Sequence, residues 1–322
     1  MPKEALIESA RARWRGQIRR FKVRIAGHSG SYGQDLQRRS DGFGPSDRRA
    51  RFDQSFLKQR VVTSLVLAPL VAAGVLWLPT YILSLLFGLL ALVAGWEWSA
   101  LSGWRSNGAR VAYTLALLGV LVGAWFAMPY QSGVWAGLAL GLGVWAFGLL
   151  WLVYPIFEAG RMMKSLAGLA VLGCAWMTMI WIHGLGDQGS LWVLYLLALV
   201  WVADSGAYFV GRSFGRHKLA PRISPGKTWE GVYGALGAVG VYAWVVAEWV
   251  SMLPVWPLVA VSILVALVSV VGDLLESLLK RQAGLKDSGV LLPGHGGVLD
   301  RVDGLLAAVP VFVVGLLVWP VL

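Results

Sequence analysis

The feature that most constrains this chain is a succession of apolar runs of roughly 17–25 residues, separated by short polar breaks. A run of that length crosses a hydrocarbon layer about 30 Å thick as a helix. In lipid the backbone must satisfy its own hydrogen bonds, and these runs lack the alternation of barrel strands, so helices are expected. About nine spans can be drawn, over residues 61–78, 81–100, 111–128, 133–156, 166–182, 191–210, 232–249, 258–279 and 304–321. Charged residues make up 14% of the chain, against roughly 25% in soluble domains. An all-α polytopic membrane protein of about nine transmembrane helices is therefore the expected fold class.

The net charge of +11 is unevenly placed, with roughly half of the Lys and Arg before Val61. A basic tail facing anionic membrane lipid accounts for it, and no nucleic acid is called for. Residues 1–60 hold no apolar core of the kind a cleavable signal peptide needs, so insertion is expected to use a mature span. Residues 4–25, with Trp14, Ile18 and Phe21 among arginines, fit a solvated tail or a helix lying on the membrane surface.

Orientation follows from the loops. With the basic N-terminus inside, Arg105 and Arg110, Arg161 and Lys164, Arg212 to Lys227 and Lys280 to Arg301 all fall inside, while the opposite loops carry no Lys or Arg. An odd number of spans then puts the C-terminus outside. Cys174, with no Cys, His or carboxylate near it in sequence, reads as an inert core residue. Gly133, Gly137 and Gly141 share one face of the fourth span, a spacing that serves tight helix packing or a homodimer contact.

Two long polar segments fall on the inside, and chemistry is expected there. The first runs from Asp204 to Gly231, the second from Asp273 to Asp303. An ionisable residue inside a span is costly, so Asp204 and Asp273, each in the inner third of its helix, call for a reason. Two readings stand: each holds a divalent cation in a wet cleft, or each neutralises a neighbouring Arg or Lys. Glu276 lies one turn beyond Asp273 on the same face. Glu97 and Glu248, near span ends without a companion motif, are expected at the membrane interface. Ser224 to Thr228 precedes the seventh helix, whose free N–H groups attract anions. Gly226-Lys227-Thr228 is not the end of a P-loop, because that motif needs Gly where Pro221 stands. In the second segment His295 sits among Gly294, Gly296 and Gly297, where backbone can approach a ligand closely. Asp300 and Asp303 share a face at the entry to the last helix and serve either the site or the helix cap.

The run from Ser277 through Lys280-Arg281, Lys286-Asp287, Pro293, His295-Gly296-Gly297, Asp300-Arg301 and Asp303 resembles the signature of the phosphatidate cytidylyltransferases, the CDP-diacylglycerol synthases, and Asp204 to Gly231 resembles their other cytoplasmic segment. The resemblance covers the chain from about Leu57 onward, leaving residues 1–56 as a basic extension and 57–322 as the transmembrane enzyme domain. It implies a transferase of phospholipid biosynthesis in the inner membrane, joining CTP to phosphatidic acid with magnesium (Mg2+) as cofactor. It further implies Asp204, Asp273 and Asp287 as candidate metal ligands. Lys227, Lys280, Arg281, Lys286, His295, Asp300, Arg301 and Asp303 become candidate catalytic groups, and Ser224, Thr228, Ser277, Gly296 and Gly297 candidate substrate contacts.

Overall fold

The computed structural model describes residues 67–153, 159–250, 254–289 and 296–318. Outside the described residues lie the basic extension over 1–56, the first residues of the first span, the end of the fourth span over 154–156, Pro293, Gly294, His295 and the last four residues. Among the described residues eight helices are long and apolar enough to cross a membrane, and a ninth, shorter one precedes them. In chain order they are α1 Leu67–Trp77, α2 Thr80–Leu101, α3 Asn107–Ala127, α4 Gln131–Val153, α5 Arg161–His183, α6 Gly189–Phe214, α7 Trp229–Val250, α8 Val255–Ala283 and α9 Leu299–Val318. This is a multi-pass membrane fold, and each helix falls on one of the nine expected spans. The all-α reading holds, with one short addition before α7, an antiparallel hairpin of β1 Lys218–Ala220 and β2 Ser224–Thr228.

Local chemistry sets the helix ends. Ser106 caps α3 by accepting the Ala109 N–H at 3.3 Å. Gly284 ends α8 in the left-handed region at φ 74°, where a side chain would be strained. Thr228 accepts the Gly231 N–H at 3.2 Å and so caps α7. At the other end of the bundle the buried His183 ring joins the Val75 carbonyl at 2.9 Å and the Thr80 hydroxyl at 3.0 Å, fastening α1 and α2 to α5.

Helix α5 is the most enclosed span, packed by α2, α3, α4 and α9, while α3 and α4 turn wide apolar faces outward. Gly137 and Gly141 of α4 press on Met177 and Cys174 of α5, so this small-residue face is used for packing within the chain. Helices α6 and α7 touch through backbone: a Cβ on Gly206 would come 2.7 Å from the Gly234 carbonyl oxygen. Tyr195 of α6 stacks on Tyr242 of α7 and Phe312 of α9, and its hydroxyl meets Ser262 of α8 at 2.6 Å. That satisfied polar contact fixes the α6–α9 group deep in the core. Up-and-down alternation then gathers the C-termini of α2, α6 and α8 and the N-termini of α3, α5, α7 and α9 at one end. The expected site residues lie there.

Candidate active site

The hairpin is what aims the first set of groups. Its pairing, Lys218 with Thr228 and Ala220 with Ser224, puts neighbouring side chains of β2 on opposite faces, so Thr228 turns in to cap α7 while Lys227 turns toward α8. Glu230 closes the base of the hairpin on the His217 ring at 2.6 Å and on the His217 N–H. Arg281, at the end of α8, donates to the Ile223 carbonyl at 3.3 Å and ties the turn to that helix. Lys227 Nζ then stands 2.5 Å from Asp273 Oδ2, with both side chains partly accessible. That pair supplies the neighbouring cation that the ion-pair reading of Asp273 calls for. Asp204 keeps exposed surface although protein surrounds it on most sides, and Asp273, Lys227 and Arg301 are the charges that act on it.

Helix α8 carries the second set along one face. Ser277 donates to Asp273 at 3.3 Å, and Lys280 lies 3.2 Å from Glu276 and 2.7 Å from Asp300. A Cβ on Gly272 would come 2.7 Å from the Asp303 carbonyl oxygen, so α8 and α9 approach closely where the carboxylates face each other. Glu276 is 3% exposed, and Asp303 and Asp300 act on it along with Lys280. Neither Glu276 oxygen has a well-aligned hydrogen-bond donor among the described residues, although Lys280 is close enough to pair with one of them.

Asp300 has a different task from the other carboxylates. Besides Lys280 it accepts the Ser288 N–H at 3.0 Å and the Gly297 N–H at 2.9 Å. It ties the segments before and after residues 290–295 to Lys280 of α8. Gly296 adopts φ 83°, open to glycine but costly for other residues. Lys286, Asp287 and Arg301 are exposed at the rim. Ser224 and Gly226 sit on the hairpin with Lys227.

Glu97 is the residue near the site that sequence reasoning passed over. It is 2% exposed, and its carboxylate accepts the Ser288 hydroxyl at 2.9 Å and the N–H groups of Val298 at 3.0 Å and Leu299 at 2.8 Å. The signal was available, since the cost of a carboxylate in a span that singled out Asp204 and Asp273 applies equally to Glu97. Its partners lie about two hundred positions away, and no local motif announces them.

The charged cluster borders an apolar cavity of about 440 Å³ between α4, α5, α8 and α9. Leu140, Phe147, Trp151, Leu166 and Leu275 line it, and Glu276 and Asp303 stand on its wall. Leu140, Phe147 and Leu166 are also exposed on the outer, lipid-facing surface of the bundle. One recess thus offers cations and carboxylates at the helix ends and hydrocarbon surface within the membrane span. Asp204 and Asp273 could hold a hard divalent cation, which takes one or two carboxylates and completes its shell with water and phosphate oxygens. Among the described residues no three His, Cys, Asp or Glu groups close into a protein-only cage.

Comparison with known proteins agrees in extent and kind. Residues 58–319 match the family model described as the cytidylyltransferase family. A phosphatidate cytidylyltransferase of Pseudomonas aeruginosa is 42% identical over 262 residues, covering 80% of this chain and 95% of the relative. Those of Haemophilus influenzae and Brucella suis are 34% and 37% identical, covering 80% and 79% of this chain and 97% and 91% of theirs. A match over the whole transmembrane unit, at these identities, makes the chain a member of the cytidylyltransferase family of nucleotidyltransferases.

Proposed function

We propose that this chain is a phosphatidate cytidylyltransferase, converting CTP and phosphatidate to CDP-diacylglycerol and pyrophosphate. The observation that carries the reading is the meeting of a cationic and acidic cluster with a membrane-level apolar cavity at Glu276 and Asp303. A nucleotide triphosphate needs the first, and the acyl chains of a lipid phosphate need the second.

The reaction makes modest demands on proton transfer. A phosphomonoester has a second pKa near 6, so its oxygen is already largely anionic at neutral pH. That oxygen forms a bond to the α-phosphorus of CTP, the bond from the α-phosphorus to the bridging oxygen breaks, and pyrophosphate leaves with the electron pair. The barrier lies in bringing two polyanions together in line. Lys227, Arg281, Lys286 and Arg301 are the cations this reading assigns to offsetting phosphate charge, while Lys280 is held by Glu276 and Asp300. Bound at Asp204 and Asp273, magnesium would polarise phosphate oxygens and offset developing charge. Lys227, part-exposed on the hairpin, is placed to exchange Asp273 for a phosphate oxygen. The site end of the bundle is read as cytoplasmic in an inner membrane, because the loops there hold the Lys and Arg of the transmembrane unit. Residues 1–56 are read as lying outside the catalytic unit.

The test is to incubate purified protein with phosphatidate, magnesium and CTP labelled separately at the α- and γ-phosphates. Label from the α position enters lipid and label from the γ position leaves as pyrophosphate. Transfer of γ-label to lipid, with CDP as product, would make the enzyme a lipid kinase instead.

A further inference from the structure

We propose that Glu97 is a positioning residue for the reaction, acting through Ser288 and the first turn of α9 to hold Asp300, Arg301 and Asp303 in register with α8. The inference rests on the cytidylyltransferase reading and adds a residue from outside both signature segments.

The geometry is a two-sided clamp. Ser288 gives its hydroxyl to Glu97 at 2.9 Å and its N–H to Asp300 at 3.0 Å, so the two carboxylates grip one residue from opposite directions. Glu97 also takes the Val298 and Leu299 N–H groups, at a helix start whose free N–H groups favour negative charge. Ser288 and Gly289 precede residues 290–295 and Gly297 to Leu299 follow them, so a single carboxylate joins both ends of that stretch. Two glycines acquire a reason: a Cβ on Gly289 or Gly297 would overlap the Glu97 carboxylate. Arg110 supplies the compensating field, with its guanidinium 4.0 Å over the Trp96 ring and bonded to the Ser99 hydroxyl and the Trp96 carbonyl.

A carboxylate suits this place and an amide does not. Three donors converge on its two oxygens; glutamine offers one acceptor and sets its NH2 against a backbone N–H. The expected result is a displaced α9 start in a protein that still folds. Misplacement of about 1 Å at groups that align reacting phosphates costs roughly a hundredfold in rate, and ground-state binding suffers less.

The experiment measures kcat, KM for CTP and for phosphatidate, melting temperature, and amide hydrogen exchange at Val298 and Leu299 in detergent-purified full chain. For Glu97→Gln, kcat falls about a hundredfold with both KM values within about threefold, the folded fraction kept, and exchange at the two amides accelerated. Glu97→Asp, which restores both acceptors one methylene short, recovers part of kcat. Ser288→Ala loses about tenfold, and the double variant with Glu97→Gln is no slower than Glu97→Gln alone, because both remove one interaction. Turnover of Glu97→Gln within twofold of wild type overturns the proposal. So does a loss that tracks the folded fraction, or an additive double variant. If Glu97→Gln fails to fold, Glu97→Asp and Ser288→Ala decide, and full turnover in both overturns it. A wild-type protein that moves no α-label to lipid sinks the functional reading instead, while amide exchange still reports on the clamp.

Discussion

Among the site residues, Asp273 and Asp300 are both paired carboxylates, yet their surroundings predict opposite mutant behaviour. Asp273 keeps 35% of its side-chain surface and pairs with a lysine that keeps 23%, so solvent weakens the pair and little stability hangs on it. Asp273→Asn is expected to melt close to wild type and to lose most of its turnover, with residual activity rising as magnesium is raised. Near-normal turnover at ordinary magnesium would remove Asp273 from the metal assignment. Asp300 keeps 11%, holds a lysine at 12%, and takes two backbone N–H groups. Asp300→Asn weakens a largely enclosed pair and two charge-assisted backbone contacts, although Lys280 keeps Glu276, and is expected to lower the melting temperature clearly. Side-by-side thermal melts and initial rates separate the two, and an Asp300→Asn protein as stable as wild type would refute its organising role.

The elements that matter most are the hairpin and the first turn of α7. Thr228 is 5% exposed, caps α7 through Gly231, and leaves Gly215 no room for a Cβ. Because Lys227 adjoins it on the same strand, loosening this cap moves the cation that faces Asp273. Thr228→Ala is expected to cost about 1 kcal/mol of stability and to raise KM for CTP several-fold, while Thr228→Ser, which keeps the hydroxyl, stays near wild type on both counts. A Thr228→Ala protein with lowered stability but unchanged KM would show that the hairpin holds Lys227 without its cap.

At the scale of the whole molecule, up-and-down helices place every charged group of the site at one end and the apolar cavity beside it. Activity is therefore expected to depend on access from that end alone. In sealed vesicles, added CTP should be consumed when the basic loops face outward and spared when they face inward. Equal consumption by both preparations would overturn the proposed orientation.

Most of the fold was legible because the membrane leaves few choices: apolar runs of spanning length must become helices, and α2 to α9 lie where those runs do. The family signature was legible because its residues are contiguous, and Lys280, Asp300 and Asp303 are indeed brought together. Periodicity did not announce the β1–β2 hairpin, since strands of three and five residues carry no pattern long enough to read. The division of labour among the carboxylates was decided by tertiary structure alone. Whether Asp273 meets Lys227, Asp300 gathers N–H groups, or Glu97 clamps a loop about two hundred positions away depends on which helix ends the bundle brings together. A buried carboxylate takes its role from the donors around it, and those donors come from segments that sequence order keeps apart.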